Sequence, residues 1–354
     1  MKNHPNLHHY KQCLFAGLFA PALLYFLDVF SLYKNNNIRT SASIVKAKDR
    51  YCALASEGYW ENDTFHLHDS NCNWGYYPQI IQGDFFCKQQ HVNVLLIGDS
   101  QERNTVDHFC RQTGGKNSLI QPRWTLPNKT TIRSSGVSMQ RVCKVGNVQI
   151  ANFFHFGFVY PVSHLVTEHA SLSEGEPIRS PARFQQVLPN LLEDAFGGPN
   201  NQEEEPLIVV MNSGLWDMLA LAKFENWQFN TPQFISNGTW AERLVSAAAV
   251  VQNVTNASLL VWRNVPDVVE SRTEKFEYIL KGALTNPFTH NTSRLLNDAG
   301  VRVAKGLGWP ILDLRGSIAG REEELIDFGG WHIHKGGIDV YLNRILNTVV
   351  SFLQ

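Results

Sequence analysis

Gly98-Asp99-Ser100 is the stretch of the sequence whose residue types and order point most directly to chemistry. An apolar run rich in β-branched residues precedes it at residues 92–97, and a segment with helical apolar spacing follows it. Glycine lets the chain turn sharply out of a strand, so we expect Ser100 at a helix start, where free N–H groups and the helix dipole favour negative charge. A serine there suits a nucleophile whose attack creates an oxyanion; the alternative is that Asp99 or Ser100 only caps the helix.

Strands and helices must position such a serine, and the chain from residue 92 onward shows both patterns. Short apolar runs lie at residues 92–98, 147–155, 206–212, 258–263 and 309–314, and helical patterns lie at 182–196, 240–255, 292–307 and 338–353. Strands that alternate with helices predict a parallel sheet covered on both faces. Ligands of such sheets gather at the carboxyl ends of the strands, so the residues that follow each run matter most.

Polar and glycine-containing segments follow all of these runs. They are Gly98-Asp99-Ser100, His155-Phe-Gly157, Asn212 to Asp217, Arg263-Asn264, and Arg315 followed by a loop with Asp327, His332 and His334. Their common chemistry favours the nucleophile over the helix cap.

Two of these segments resemble motifs of a known group of enzymes. Gly98-Asp99-Ser100 with Arg103-Asn104 is similar to the GDSxxRN block of the trichome-birefringence-like and PC-esterase families. The segment NSGLWD, residues 212–217, is similar to their Asn-x-Gly-x-x-Asp block. These families belong to the GDSL/SGNH hydrolase group, which includes the lumenal domain of animal sialate O-acetyltransferases. The resemblance covers about residues 90–350 and implies a three-layer α/β/α sandwich with a flavodoxin-like, mostly parallel sheet.

The resemblance also implies roles for individual residues. Ser100 matches the nucleophile, and the oxyanion would be held by the serine N–H, a glycine N–H and an asparagine side chain. The residues assigned to the oxyanion and substrate are Asp99, Arg103, Asn104, Asn212 and Gly214.

The acid and base depart from the family's D-x-x-H pattern. Trp331 stands three residues before His334, and Gly329 stands three before His332. Proximity to the last helix favours His334 as the base, with His332 as the alternative. Asp327 is the first choice for the acid and Asp313 the substitute.

The resemblance implies a serine-dependent reaction through an acyl-serine intermediate. The acyl group, which is expected to be acetyl, would be transferred to carbohydrate hydroxyls or removed from them in the secretory pathway. The enzyme would be an O-acyltransferase or a carbohydrate esterase, with no bound cofactor or metal and with acetyl-CoA or an acylated carrier as acyl donor. Two alternatives stay open. One is a catalytically idle, membrane-anchored glycan-binding or scaffold protein; the other is a metal hydrolase that uses His332, His334 and Asp327.

Charge and hydropathy define the partners and the location. The formal net charge of −1 and a pI near 6.9 argue against a nucleic-acid partner. The partner that the resemblance implies is a glycan or another polyhydroxylated substrate. Residues 13–33 are apolar over a length that spans a bilayer, interrupted only by Asp28. We expect a signal anchor there, rather than a cleaved signal peptide, between a cytoplasmic tail (1–12) and a stem (34–50). The predicted protein is a single-pass type II membrane protein facing the Golgi or endoplasmic reticulum lumen, or a secreted form if the anchor is cleaved.

Sequons and cysteines fit that compartment. Six asparagines stand in N-x-[ST] sequons: Asn62, Asn128, Asn237, Asn253, Asn256 and Asn291. Beyond the predicted anchor, the cysteines are Cys52, Cys72, Cys87, Cys110 and Cys143, without a CxxC pair. We expect two disulfides and one cysteine left over. Residues 51–91 are interpreted as a disulfide-tied extension and residues 92–354 as the catalytic domain.

Overall fold

The computed structural model describes residues 52–55, 57–72, 74–83, 91–126, 128–133, 139–158, 176–177, 180–197, 205–224, 235, 238–273, 286, 288–327 and 329–353. The strands are β1 (Gly58–Glu61), β2 (Thr64–Leu67), β3 (Val92–Gly98), β4 (Lys116–Ile120), β5 (Arg123–Thr125), β6 (Thr131–Arg133), β7 (Gln140–Val145), β8 (Val148–Phe154), β9 (Leu207–Met211), β10 (Leu259–Arg263) and β11 (Ile311–Leu312). The helices are α1 (Cys52–Ala55), α2 (Tyr77–Gln82), α3 (Ser100–Thr113), α4 (Ala182–Gln186), α5 (Leu188–Phe196), α6 (Leu215–Phe224), α7 (Thr239–Thr255), α8 (Glu270–Thr273), α9 (His290–Gly306), α10 (Leu314–Ile318), α11 (Glu322–Leu325) and α12 (Gly336–Leu353).

The central sheet has the strand order β11-β10-β9-β3-β8-β7-β4. Strands β11, β10, β9, β3 and β8 are parallel, whereas β7 runs antiparallel to both β8 and β4. Numbered along the chain, the parallel strands have the flavodoxin-like order 2-1-3-4-5, whose switch point lies between β3 and β9. The prediction of an α/β fold with a mostly parallel sheet is confirmed.

Helices cover both faces of this sheet because β3 and its neighbours are buried on both sides. Leu95 and Ile97 of β3 pack in a core that includes α5, α7 and α9. Val94 and Leu96 point the other way, into a core that includes α3 and α12. Alternate residues of a strand therefore pack against helices on opposite faces of the sheet. This arrangement is a three-layer sandwich, and it explains why the strands are apolar along almost their whole length.

Two predicted elements differ from the structure. The run 309–314 yields only β11 (Ile311–Leu312), since Asp313 already caps α10 through the Gly316 N–H. The helical pattern 182–196 is divided into α4 and α5 at Val187, and Pro189, which has no N–H to donate, lies in the first turn of α5.

Residues before the sheet pack on the last helix. Asn343 and Asn347 of α12 accept hydrogen bonds at 2.8 Å from the N–H groups of Tyr77 and Gly75 respectively. The Cys52–Cys72 disulfide closes this segment, and Cys110–Cys143 joins α3 to β7. The prediction of two disulfides is confirmed, and they are typical of folding in an oxidising compartment. Cys87 lies outside the described residues.

The membrane prediction falls on a part of the chain for which no structure is described. The tail (1–12), the anchor (13–33) and the stem (34–50) all lie outside the described residues. Among the helices that are described, none has the length and apolar character needed to cross a bilayer.

Candidate active site

Ser100 is the first residue of α3, directly after β3. Asp99 is the N-cap, and its carboxylate accepts a hydrogen bond from the Gln101 N–H at 2.8 Å. Glu102 completes a capping box by accepting from the Asp99 N–H at 2.9 Å. Capping is therefore done by Asp99, and the half-buried hydroxyl of Ser100 is available for another partner.

That partner is His332. The distance from Ser100 Oγ to His332 Nε2 is 2.5 Å, and His332 Nδ1 lies 3.2 Å from Asp327 Oδ2. Because a carboxylate only accepts, Nδ1 carries the proton, and Nε2 accepts from the serine hydroxyl. The side chains of His332 and Asp327 are 19% and 34% exposed, so substrate can reach them.

His334, the residue favoured by the sequence, is not beside Ser100. The Ile333 N–H donates at 2.8 Å to the side-chain oxygen of Gln101, the residue after Ser100. This bond holds Ile333 next to Gln101, and it therefore brings the preceding residues, His332 and Ser100, together. The His334 N–H pairs with the Leu325 carbonyl at 2.9 Å, on the way into α12. The choice of His334 over His332 is corrected accordingly.

Asp327 reaches His332 across a spacing of five residues instead of three. The Asp327 N–H donates to the His332 carbonyl at 2.6 Å, and the His332 N–H donates back to Asp327 Oδ1 at 3.2 Å. Gly330 turns this loop with φ of +81°, and a Cβ there would lie 2.7 Å from the Val269 carbonyl. Burial acts to raise the pKa of Asp327, but its bonds to His332 and Trp331 outweigh burial and lower that pKa below its ordinary value.

Asp313, the substitute acid, lies elsewhere. Its Oδ1 accepts from Asn264 Nδ2 at 2.6 Å and from the Gly316 N–H at 2.9 Å. Asp313 is thus the cap of α10 and does not contact the histidine.

Glu102 is a fully buried carboxylate beneath the serine that sequence reasoning missed. Its Oε1 accepts from Arg263 Nε at 3.0 Å, from Arg263 Nη2 at 2.5 Å and from Asn212 Nδ2 at 2.5 Å. The Tyr341 hydroxyl lies 3.5 Å from the same oxygen. One side chain therefore connects α3 with residues of β10, the end of β9 and α12. The spacing Asp99-x-x-Glu102 is a capping-box signal, so the sequence indicates the bond of Glu102 to the Asp99 N–H but not its contacts with Arg263 and Asn212.

The structure describes contacts of three residues assigned to the oxyanion and substrate. Asn212 follows β9 and is 1% exposed, and its side-chain N–H donates to Glu102. A side chain at position 98 would place its Cβ 2.5 Å from Asn212 Nδ2, so the glycine at this position leaves room for the amide. Gly214 packs against Val265, where a Cβ would lie 2.4 Å from Val265 Cγ2. The Arg103 guanidinium lies 5.6 Å from the Phe154 ring centre.

Asn104 and Asp217 complete the two resembling segments. Asn104 is half-buried on α3. Asp217 is fully buried and binds the Ser213 hydroxyl and the Phe158 N–H, both at 2.5 Å. Asp217 therefore ties the loop after β9 to the loop after β8, which is a structural role.

His155, at the end of β8, is buried in its neutral form. Its Nε2–H donates to the Asn212 carbonyl at 2.8 Å, and its Nδ1 accepts from the Gly157 N–H at 3.2 Å. Burial is the main cause that lowers the pKa of His155 to about 4.

This pKa predicts a loss of stability in mild acid. The unfolded histidine takes up a proton near its ordinary pKa of about 6.5, whereas the folded one does so only near 4, so stability falls as pH drops between these values. Between pH 7 and pH 5 the wild type should lose about 2 kcal/mol more than His155→Gln. Urea unfolding of both proteins at the two pH values measures this difference; equal losses would contradict it.

Within the described ranges, no three His, Cys, Asp or Glu side chains are grouped so that they could hold a metal ion. Five of the sequon asparagines are exposed: Asn62, Asn128, Asn253, Asn256 and Asn291. Asn237 lies outside the described residues.

Comparisons with known proteins gave distant matches in structure. No protein-family model matches the chain. No curated protein matches it in sequence. The chain is similar to a lipase/acylhydrolase from Enterococcus faecalis, with 10% identity and a TM-score of 0.37 over 73% of this chain and 95% of that one. It is similar to a GDSL-like lipase from Parabacteroides merdae, with 8% identity and a TM-score of 0.37 over 75% and 98%. It is also similar to a peptidoglycan O-acetylesterase, with 9% identity and a TM-score of 0.33 over 78% and 95%. Because these likenesses are so distant, we base the function on the geometry around Ser100.

Proposed function

We propose that the protein is a serine-dependent enzyme of acyl-ester chemistry, with Ser100 as nucleophile, His332 as base and Asp327 as the acid that orients it. The observation that carries this proposal is the chain of contacts from Ser100 Oγ to His332 Nε2 (2.5 Å) and from His332 Nδ1 to Asp327 Oδ2 (3.2 Å). A nucleophile within reach of a base, itself oriented by a third group, is the arrangement of serine hydrolases on unrelated folds.

The reaction has two steps, the acylation of Ser100 and the transfer of the acyl group from Ser100 to an acceptor. His332 takes the proton of Ser100 as Oγ attacks the ester carbonyl, and the collapsing intermediate releases the alcohol, which takes the proton from His332. An acyl-serine remains. Water or a sugar hydroxyl then attacks it, giving its proton to His332, which returns it to Ser100. The Ser100 N–H, the first of α3, and the Asn212 amide are the proposed oxyanion donors.

The substrate proposed is an O-acetylated or acceptor carbohydrate. The GDSxxRN and NSGLWD segments support this through their resemblance to PC-esterase and trichome-birefringence-like proteins. Trp331, half-buried next to His332 with ring centres 6.2 Å apart, supplies an aromatic surface suited to a sugar face. The departure from the D-x-x-H pattern favours the idle-scaffold alternative, whereas the 3.2 Å contact between His332 Nδ1 and Asp327 Oδ2 supports an enzyme.

A secretory-pathway location is part of the proposal. Two disulfides and five exposed sequon asparagines support it. The apolar residues 13–33 are the proposed signal anchor. A lumenal site would meet glycans during their passage to the cell surface.

Active-site labelling tests the proposal. We expect a fluorophosphonate probe to label the wild type with one adduct on Ser100, and Ser100→Ala to show none. Ser246→Ala is the matched control, because this serine is exposed on α7 and should not change labelling. Intact-protein mass spectrometry and peptide mapping locate the adduct. A wild type that resists labelling, or an adduct on another serine, would overturn the assignment.

A further inference from the structure

A concave site lies at the antiparallel end of the sheet. A cavity of about 670 Å³ is lined by residues of β4, β7 and β8 and by α5, among them Lys116, Ser118, Lys144, Gln149 and Asp194. Arg133 of β6 also lines it. Its volume falls within the range of small-molecule sites.

This cavity is separate from Ser100. Gln149 lies beside Asn93 near the start of β3, whereas Phe154 lies beside Gly98 at its end. Five residues of strand at about 3.3 Å each put about 16 Å between the two levels of the sheet. The cavity also opens on the face of α5, and α3 covers the other face. A ligand there would not contact the serine.

Two lysines stand directly opposite each other on the cavity floor. Lys116 of β4 pairs with Lys144 of β7, and Lys144 pairs with Gln149 of β8, so the three side chains form one row on one face. Like charges directly opposite across strands destabilise a sheet. In the part of the chain that the structure describes, no carboxylate lies within salt-bridge distance of either ammonium group.

The usual reason for a lysine at a sheet edge explains only one of them. Lys116 lies on the edge strand β4, where a charge discourages pairing with another chain. Lys144 lies on β7, which is paired on both sides. The carboxylate on the cavity wall, Asp194, is occupied by Arg123 through both oxygens at 3.0 Å. Arg123 also binds the exposed Glu193 at 2.5 Å, so this group carries one net negative charge against the two lysines, and the site stays positive.

We propose that this cavity binds a small organic anion, a sulfate, phosphate or carboxylate group carried on a body of about saccharide size. The Lys116 and Lys144 ammonium groups would hold the anionic group as point charges, with the Ser118 hydroxyl as a hydrogen-bond partner. Ligand charge would relieve the repulsion between the lysines. The proposal is independent of the chemistry at Ser100.

Titration calorimetry of the full chain tests this site. The probes are a sulfated disaccharide, the same disaccharide without sulfate, and inorganic phosphate. We expect the sulfated sugar to bind and the unsulfated one to bind at least about tenfold more weakly. Phosphate that binds as tightly as the sulfated sugar would assign the site to the free anion. Equal binding of charged and uncharged sugars would overturn the proposal, as would no binding of any anion.

Variants separate this site from the fold and from the serine. Lys116→Gln combined with Lys144→Gln should weaken anion binding by about tenfold or more, whereas Lys305→Gln, an exposed lysine on α9, should not. Without ligand, the double variant should unfold at the same or a higher temperature than the wild type, because a like-charge pair is removed. Fluorophosphonate labelling of Ser100 should not change. Undiminished binding in the double variant would overturn the proposal.

Discussion

His332→Ala is expected to lower kcat/KM for cleavage of a simple acyl ester by about 10⁴-fold, and His334→Ala to leave it close to the wild-type value. The reason is the position of Nε2, 2.5 Å from Ser100 Oγ. Without that nitrogen, the serine has no base to take its proton during attack. His334 makes its described bonds through its backbone, which alanine retains.

Steady-state hydrolysis of p-nitrophenyl acetate by the two variants measures this difference. Asp327→Asn serves as an intermediate case, because it keeps the shape of the side chain but removes the charge that orients the His332 ring. Circular dichroism checks that each variant is folded. If His334→Ala lost activity and His332→Ala kept it, the assignment of the base would be wrong.

Glu102→Ala is expected to lower the free energy of unfolding by about 3–5 kcal/mol, the largest loss of stability that we predict. Arg263 is 1% exposed and would be left charged and buried without its partner. The alanine variant also loses the capping-box bond from the Asp99 N–H and the bond from Asn212. Activity should fall as well, since these bonds hold Ser100 and the Asn212 amide in place.

Urea unfolding of single and double variants tests the pairing. Arg263→Met should be strongly destabilising by itself, because it leaves the Glu102 carboxylate without its cation. The double variant Glu102→Leu with Arg263→Met should be more stable than the sum of its single changes predicts. Strict additivity, or a loss below about 1 kcal/mol for Glu102→Ala, would contradict a coupled buried pair.

The parallel part of the fold follows from local pattern, and the antiparallel part does not. Strands β3, β9 and β10 are buried on both faces, so their apolar runs are continuous and easy to recognise. Strand β7 reads Gln-Arg-Val-Cys-Lys-Val, with four of its six residues partly or fully exposed, which leaves little apolar signal. The sheet order depends on contacts between distant segments, which a single sequence does not contain.

Some features of the candidate site can likewise be predicted from the local sequence, whereas others depend on contacts between distant residues. Ser100 and its cap Asp99 are neighbours in sequence, so the strand, the glycine and the helix pattern indicate their position. The choice between His332 and His334 depends on a bond from the Ile333 N–H to Gln101, across 232 positions of the chain. The acid was obscured because the loop from Asp327 closes over a longer spacing than the family pattern.

The hydrogen bonds between residues 52–83 and α12 define the smallest unit that we expect to fold by itself. Asn343 and Asn347 hold the backbone of Tyr77 and Gly75, and Arg344 donates to the Ala53 carbonyl at 2.6 Å. A recombinant fragment that started at β3 would expose this face of α12 and leave the Arg344 guanidinium without that acceptor. Expression boundaries should therefore be placed before Cys52 and after residue 353, and not at the first strand of the sheet.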